Sequence, residues 1–176
     1  MTMRNLRGTV TFWFDNFLHV IVIFVTLVFL PIFLIQDGLK ANDFPIQNVV
    51  GLTIGLLIGA WTLHGLININ RLTREKGLHG RQNRKLIEEQ LREIYKGFVF
   101  HSLDTKITGY RTWTPKTTGK EISVYFDNED LLINIKTFLR YGDMESPYHV
   151  LANQQETKEL INKLEQTIKN GTQQNV

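Results

Sequence analysis

The sequence predicts a membrane α+β protein: an N-terminal two-helix transmembrane hairpin, a juxtamembrane helix, then a small antiparallel β domain of four or five strands with a C-terminal helix. Three observations carry this. Two apolar runs, Phe17 to Ile35 and Val49 to Ile69, are 19 and 21 residues long and contain no Asp, Glu, Lys or Arg. A helix needs about 20 such residues to cross a hydrocarbon core of ~30 Å. The residues after Asn70 hold most of the charge. From Gly97 the apolar period falls to two, the period of strands with one buried face. The expected boundaries are 1–70 for the hairpin, 71–96 for a basic linker and helix, 97–170 for the β domain, and 171–176 for a disordered tail.

The first apolar run is too long for the core of a signal peptide, no small-x-small site follows it, and the second run begins about a dozen residues later. Pro31 removes one helical hydrogen bond and should bend the first helix. Asp15 and His19 share a helix face near one end, and His64 lies one turn from the end of the second run. Ionisable groups at membrane depth usually mark a function. These sit close enough to the boundary to be hydrated, so interfacial anchoring is favoured over a proton path. Trp13 and Trp61 fit the aromatic belt in the same way.

In the second run Gly51, Gly55 and Gly59 recur every four residues. Such a face lets another backbone approach closely, which drives helix contact in lipid. The contact is either with the first helix of the same chain or with a partner chain.

Between Arg71 and Lys85 stand Arg71, Arg74, Lys76, Arg81, Arg84 and Lys85, against the single acid Glu75. The N-terminal flank adds Arg4 and Arg7, whereas the loop Gln36 to Gln47 has only Lys40. Cytoplasmic flanks carry the Lys/Arg excess, so both termini are expected in the cytoplasm and the loop outside. The six basic residues are candidates for contact with anionic lipid. Gly77 and Gly80 should break the chain, and a helix is expected from Gln82 to Tyr95. Its apolar stripe is Leu86 or Ile87, then Leu91 and Ile94, with a favourable Glu88–Arg92 pair.

The strands expected next are Gly97 to Leu103, Lys106 to Thr114, Lys120 to Phe126 and Leu131 to Tyr141, with Tyr148 to Leu151 as a short last strand. The third and fourth, joined by the turn Asp127–Asp130, make a hairpin. Gln155 to Lys169 reads as a helix with the stripe Leu160, Ile161, Leu164 and Ile168, stopped by Gly171. A domain of about 75 residues has a thin core and gains from outside support.

The chain has no Cys, which excludes disulfides, thiolate nucleophiles and Cys-ligated metal. None of its five histidines pair at metal-ligand spacing, and no phosphate loop or nucleophile elbow occurs. His101 and Asp104 read as an ordinary polar edge. Arg111, Trp113, Lys116 and Lys120 mix cations and an aromatic ring around one loop, a possible site for an acidic or nucleotide ligand. A net charge of +3, concentrated in one segment, gives little reason to expect nucleic acid. The expectation is a non-enzymatic, cofactor-free bacterial inner-membrane protein presenting a small cytoplasmic interaction or sensing domain. It would work with the bilayer and with a second copy or a larger membrane protein. The alternative is an oligomerising two-span effector of a defence or toxin system whose C-terminal domain senses a ligand. An enzyme acting on lipid is disfavoured by the missing site residues.

Overall fold

The computed structural model describes residues 16–41, 45–112, 114–127, 129–138 and 145–173. Trp13, Asp15, Trp113, the end of the fourth expected strand and the last three residues lie outside these. Helix α1 runs Phe17–Phe24, passes through a π-helical turn Val25–Phe29, and continues as Leu30–Ala41. The π turn, closed by the Leu30 amide on the Val25 carbonyl, directly precedes Pro31, which has no amide to donate. A single π turn next to a proline is one of the recognised causes of a helix bend. Helix α2 is Ile46–Asn68. Both helices are long and apolar enough to cross a membrane, and only 6% and 28% of their most apolar windows are buried. The core helix of a water-soluble domain would bury most of such a window.

The chain leaves α2 and enters strand β1, Thr73–Glu75, almost at once. Helix α3 is Arg84–Ile94, and β2 (Val99–Leu103), β3 (Lys106–Arg111), β4 (Gly119–Asp127) and β5 (Asp130–Phe138) follow. A 3₁₀ turn Pro147–His149 leads into helix α4, Val150–Gln173. The sheet is antiparallel with the order β1-β5-β4-β3-β2.

Register explains the core. Ile122, Val124 and Phe126 of β4 stand opposite Ile135, Ile133 and Leu131 of β5. All six share one face, because side chains alternate along a strand. Ile87 and Leu91 of α3 and Leu160, Ile161 and Leu164 of α4 cover that face. The choice left open in α3 falls on Ile87, which is fully buried. Arg92 and Glu88 pair at 2.8 Å as the spacing requires.

Four expectations need correcting. Thr73–Glu75 is not linker but the edge strand of the sheet, paired through Thr73↔Ile133. Tyr148 to Leu151 is no strand: β1 already occupies the free side of β5, and Pro147 opens a helical turn instead. The last helix begins five residues earlier than expected, because Val150 and Asn153 have buried places against the end of α2 and β5. Gly171 does not stop it, and residues 171–173 are helical rather than tail. A helical Gly costs about 1 kcal/mol relative to Ala, which a long helix tolerates. Gly77 and Gly97 do mark the breaks around α3, both in the left-handed region at φ 75° and 86°.

Candidate functional site at the junction of hairpin and sheet

The glycine face of α2 is filled from within the chain. A Cβ on Gly51 would stand 3.5 Å from Leu34, an ordinary contact, and one on Gly55 would press on Leu30 at 2.5 Å. At Gly59 it would overlap Thr26 and Leu27. The same face continues through fully buried Thr62 to Gly65, where an added Cβ would overlap the carbonyl of Pro147. The contact that small residues permit therefore has two parts: α1 along the hairpin, and the 3₁₀ turn of the sheet domain at its end. His19, near the start of α1, meets Tyr148 edge-on at 5.9 Å between ring centres. His64 is exposed, with Asn68 Nδ2 at 2.9 Å from its carbonyl.

A polar network sits behind this contact. Lys136 Nζ donates to Asn70 Oδ1 at 2.5 Å and to Glu145 Oε1 at 2.7 Å, and the two charged side chains are 7% and 2% exposed. Asn134 Nδ2 donates to the carbonyl of Arg71 at 2.9 Å. Thr137 Oγ1 donates to Asn153 Oδ1 at 2.8 Å, and the Ser146 amide to the Thr137 carbonyl at 2.8 Å. Asn70, β5, residues 145–146 and α4 are thus tied together where α2 ends. Charges this deep require partners of this kind.

Beside the network lies a groove of about 440 Å³, lined by Arg71, Leu72, Thr73, Arg74, Gln154 and Lys158. A narrow cleft shares Arg71, Thr73 and Gln154 with it and leads back to Asn68, Asn134 and Asn153. Among the described residues, no carboxylate lines either one. This arrangement suits an acceptor-rich, anionic ligand.

The six basic candidates separate once their partners are known. Arg74 is neutralised: its Nε reaches Asp130 at 2.6 Å and its terminal nitrogen Asp127 at 3.1 Å. The Arg74 hydrogen bond, helped by the Gly77 amide, holds the Asp130 carboxyl below its usual range. Arg84 points into the sheet, donating to the carbonyls of Leu103 and Asp104 and to Ser102 Oγ, with its guanidinium 5.4 Å from the centre of the Phe126 ring. Ser102 Oγ in turn donates to Glu88, whose carboxyl is held low chiefly by Arg92. Arg71, Lys76, Arg81 and Lys85 are exposed.

Of the loop set, Arg111 and Lys120 stand opposite each other on β3 and β4, and each is already engaged. Lys120 is committed to Glu156 of α4 at 2.5 Å, and Arg111 lies over the Phe98 ring at 5.1 Å. Lys116 is exposed. Glu156 also sits beside Tyr95, whose hydroxyl burial and this carboxylate push upward. His101 stacks on Tyr110 at 5.6 Å, apart from any acid–base pairing with Asp104. Sequence reasoning missed Gly65, Lys136, Glu145 and Lys158. Only Gly65 had a signal, since continuing the 3.6-residue period past Gly59 through Thr62 lands on it.

No family model, curated protein or solved structure matches the chain.

Proposed function

We propose that this chain is a two-span inner-membrane protein, with both termini in the cytoplasm, whose hairpin holds a small sheet domain rigidly against the cytoplasmic face as a non-enzymatic interaction module or accessory subunit. One observation carries the reading: the sheet is not tethered but built onto the hairpin. Strand β1 begins five residues after α2 ends, Pro147 seats on Gly65, and Asn70 is bonded to Lys136 of β5. A domain that swings on a linker samples partners freely, whereas one fixed at a helix end presents a constant face and follows any movement of the spans. The oligomerising effector is less well supported, because the glycine face it would use between chains is occupied by Thr26, Leu27 and Leu30 of the same chain.

Topology tests the reading. The chain has no Cys, so single substitutions label without background. Ala41→Cys is expected to react with an impermeant maleimide added outside intact cells, and Gly171→Cys only after permeabilisation. External labelling at Gly171→Cys overturns the cytoplasmic placement of the sheet.

A further inference from the structure

We propose that the groove between β1 and α4 is a binding site for the phosphate of an anionic lipid headgroup, with Arg71 and Lys158 as its cations. This rests on the membrane reading above and adds a ligand and an address to it.

The groove has the composition of a phosphate site. It is lined by two arginines, one lysine, a threonine, a glutamine and a leucine, with no acid among the described residues. Arg74 is consumed by Asp127 and Asp130. Arg71 and Lys158 are exposed and have no ion pair among the described residues, so they supply the charge of the groove. Thr73 and Gln154 offer neutral donors beside them, which a phosphate with several acceptor oxygens can use.

Its position selects a lipid over a soluble anion. Arg71 is three residues beyond the end of α2. Helix α4 starts beside the end of α2, where Val150 packs with Leu66 and Ile69 and the turn before it meets Gly65 and His19. Along α4, Leu151, Gln154 and Lys158 follow i, i+3, i+7 spacing and so share one face. Tyr148 and Leu151 are both exposed, and the face then grades from apolar through amide to cation. Seven residues of helix span about 10 Å, close to the roughly 5–8 Å of headgroup layer on each side of the hydrocarbon core. An exposed Tyr and Leu suit the interface, and a lysine beyond them extends its ammonium to the phosphate level.

The test uses the full chain purified in neutral detergent, with short-chain phosphatidylglycerol, matched phosphatidylcholine and inorganic phosphate as probes and thermal shift and titration as readouts. Phosphatidylglycerol is expected to bind and stabilise, and the other two to bind far more weakly. Arg71→Gln with Lys158→Gln should weaken phosphatidylglycerol roughly 30-fold at low salt, from the usual contribution of a basic residue near an anionic surface. Lys76→Gln with Lys85→Gln removes the same net charge outside the groove and should change affinity less than about threefold at similar ionic strength. Lys158→Arg should retain binding, and circular dichroism of every variant reports the fold. Equal losses in the two pairs would reduce the site to diffuse charge and overturn the proposal. Inorganic phosphate matching phosphatidylglycerol would overturn the lipid assignment. Alkaline extraction of cell membranes runs in parallel: a chain released with peripheral proteins sinks the membrane reading and this proposal together, whereas an integral chain with indifferent groove variants sinks the groove alone.

Discussion

Leu57 of α2 and Leu131 of β5 are the same side chain in opposite settings, 66% exposed and fully buried. The contrast extends to their surroundings. Outward from the hairpin stand Phe17, Phe24, Phe29, Phe33 and Leu57, while the contact between its helices is made by Gly51, Gly55 and Gly59. In the sheet domain the large aliphatics face inward, and the charged residues of α3 and α4 face out. In water, burial of apolar area drives folding. In lipid that force between helices is missing, and close backbone approach replaces it. On the membrane reading proposed above, the two halves follow two solvents, and the junction, with its buried Lys136–Glu145 pair, is where the rule changes.

The largest effect is expected there. Lys136→Met removes the cation bonded to both Asn70 and Glu145, and breaking a buried pair costs about 3–5 kcal/mol. Denaturant unfolding of the full chain measures it, and a loss below about 1 kcal/mol would show that the junction is wetter than its geometry.

The leucine contrast can be broken directly. Leu91→Ala, in the core, should destabilise the sheet domain by about 2–5 kcal/mol. Leu57→Ala should fall within about 0.5 kcal/mol in detergent, as surface substitutions do. A comparable cost at Leu57 would mean that its face is covered by another chain.

The glycines sharpen the comparison next. Alanine at Gly65 meets backbone, at Gly55 a leucine side chain that can turn aside, and at Gly51 only ordinary contact. The cost should follow that order, from about 1–3 kcal/mol at Gly65, the usual range for overpacking, to near zero at Gly51. Limited proteolysis of the sheet domain would report its loosening in Gly65→Ala alone.

The smallest effect is a titration. Asp130 should protonate below the ordinary Asp range, and Arg74→Gln should return it toward that range in an NMR pH series. Its folded-state pKa is depressed, so the contribution to stability is full above the unfolded pKa and is lost as pH falls through the lowered one. An unchanged Asp130 in Arg74→Gln would assign the depression to the Gly77 amide instead.

How much of this was legible follows from the range of each interaction. The two long helices, the β4–β5 pairing and the stripes of α3 and α4 are local patterns, and they can be read from alternation and period. Strand β1 is three residues long inside a basic segment, and only a partner 56 or more residues away makes it a strand. The turn at Pro147 and the early start of α4 likewise depend on a glycine 82 positions back. The basic segment was legible as a cluster, but not its division into Arg74 and Arg84, spent on the protein's own acids and carbonyls, and Arg71, left in the groove. Lys158 belongs to the groove only because α4 returns beside β1, and no spacing along the chain announces that.

Strand β1 also sets an order of events during synthesis. Arg74 and its partner Asp130 are separated by 56 residues, roughly 3–11 s of elongation at ~5–20 residues per second. For that interval both long helices are complete while β1 hangs from α2 with no neighbour. Strands β2, β3, β4 and β5 are synthesised in the order in which they pair, and β5 then has β1, five residues beyond α2, as its remaining neighbour. Long-range pairing of this kind is slow when both ends are free. Anchoring one end shortens the search, and it makes an expressed fragment that starts after Glu75 a poor substitute for the domain, because β5 would emerge with its last edge open to any other chain.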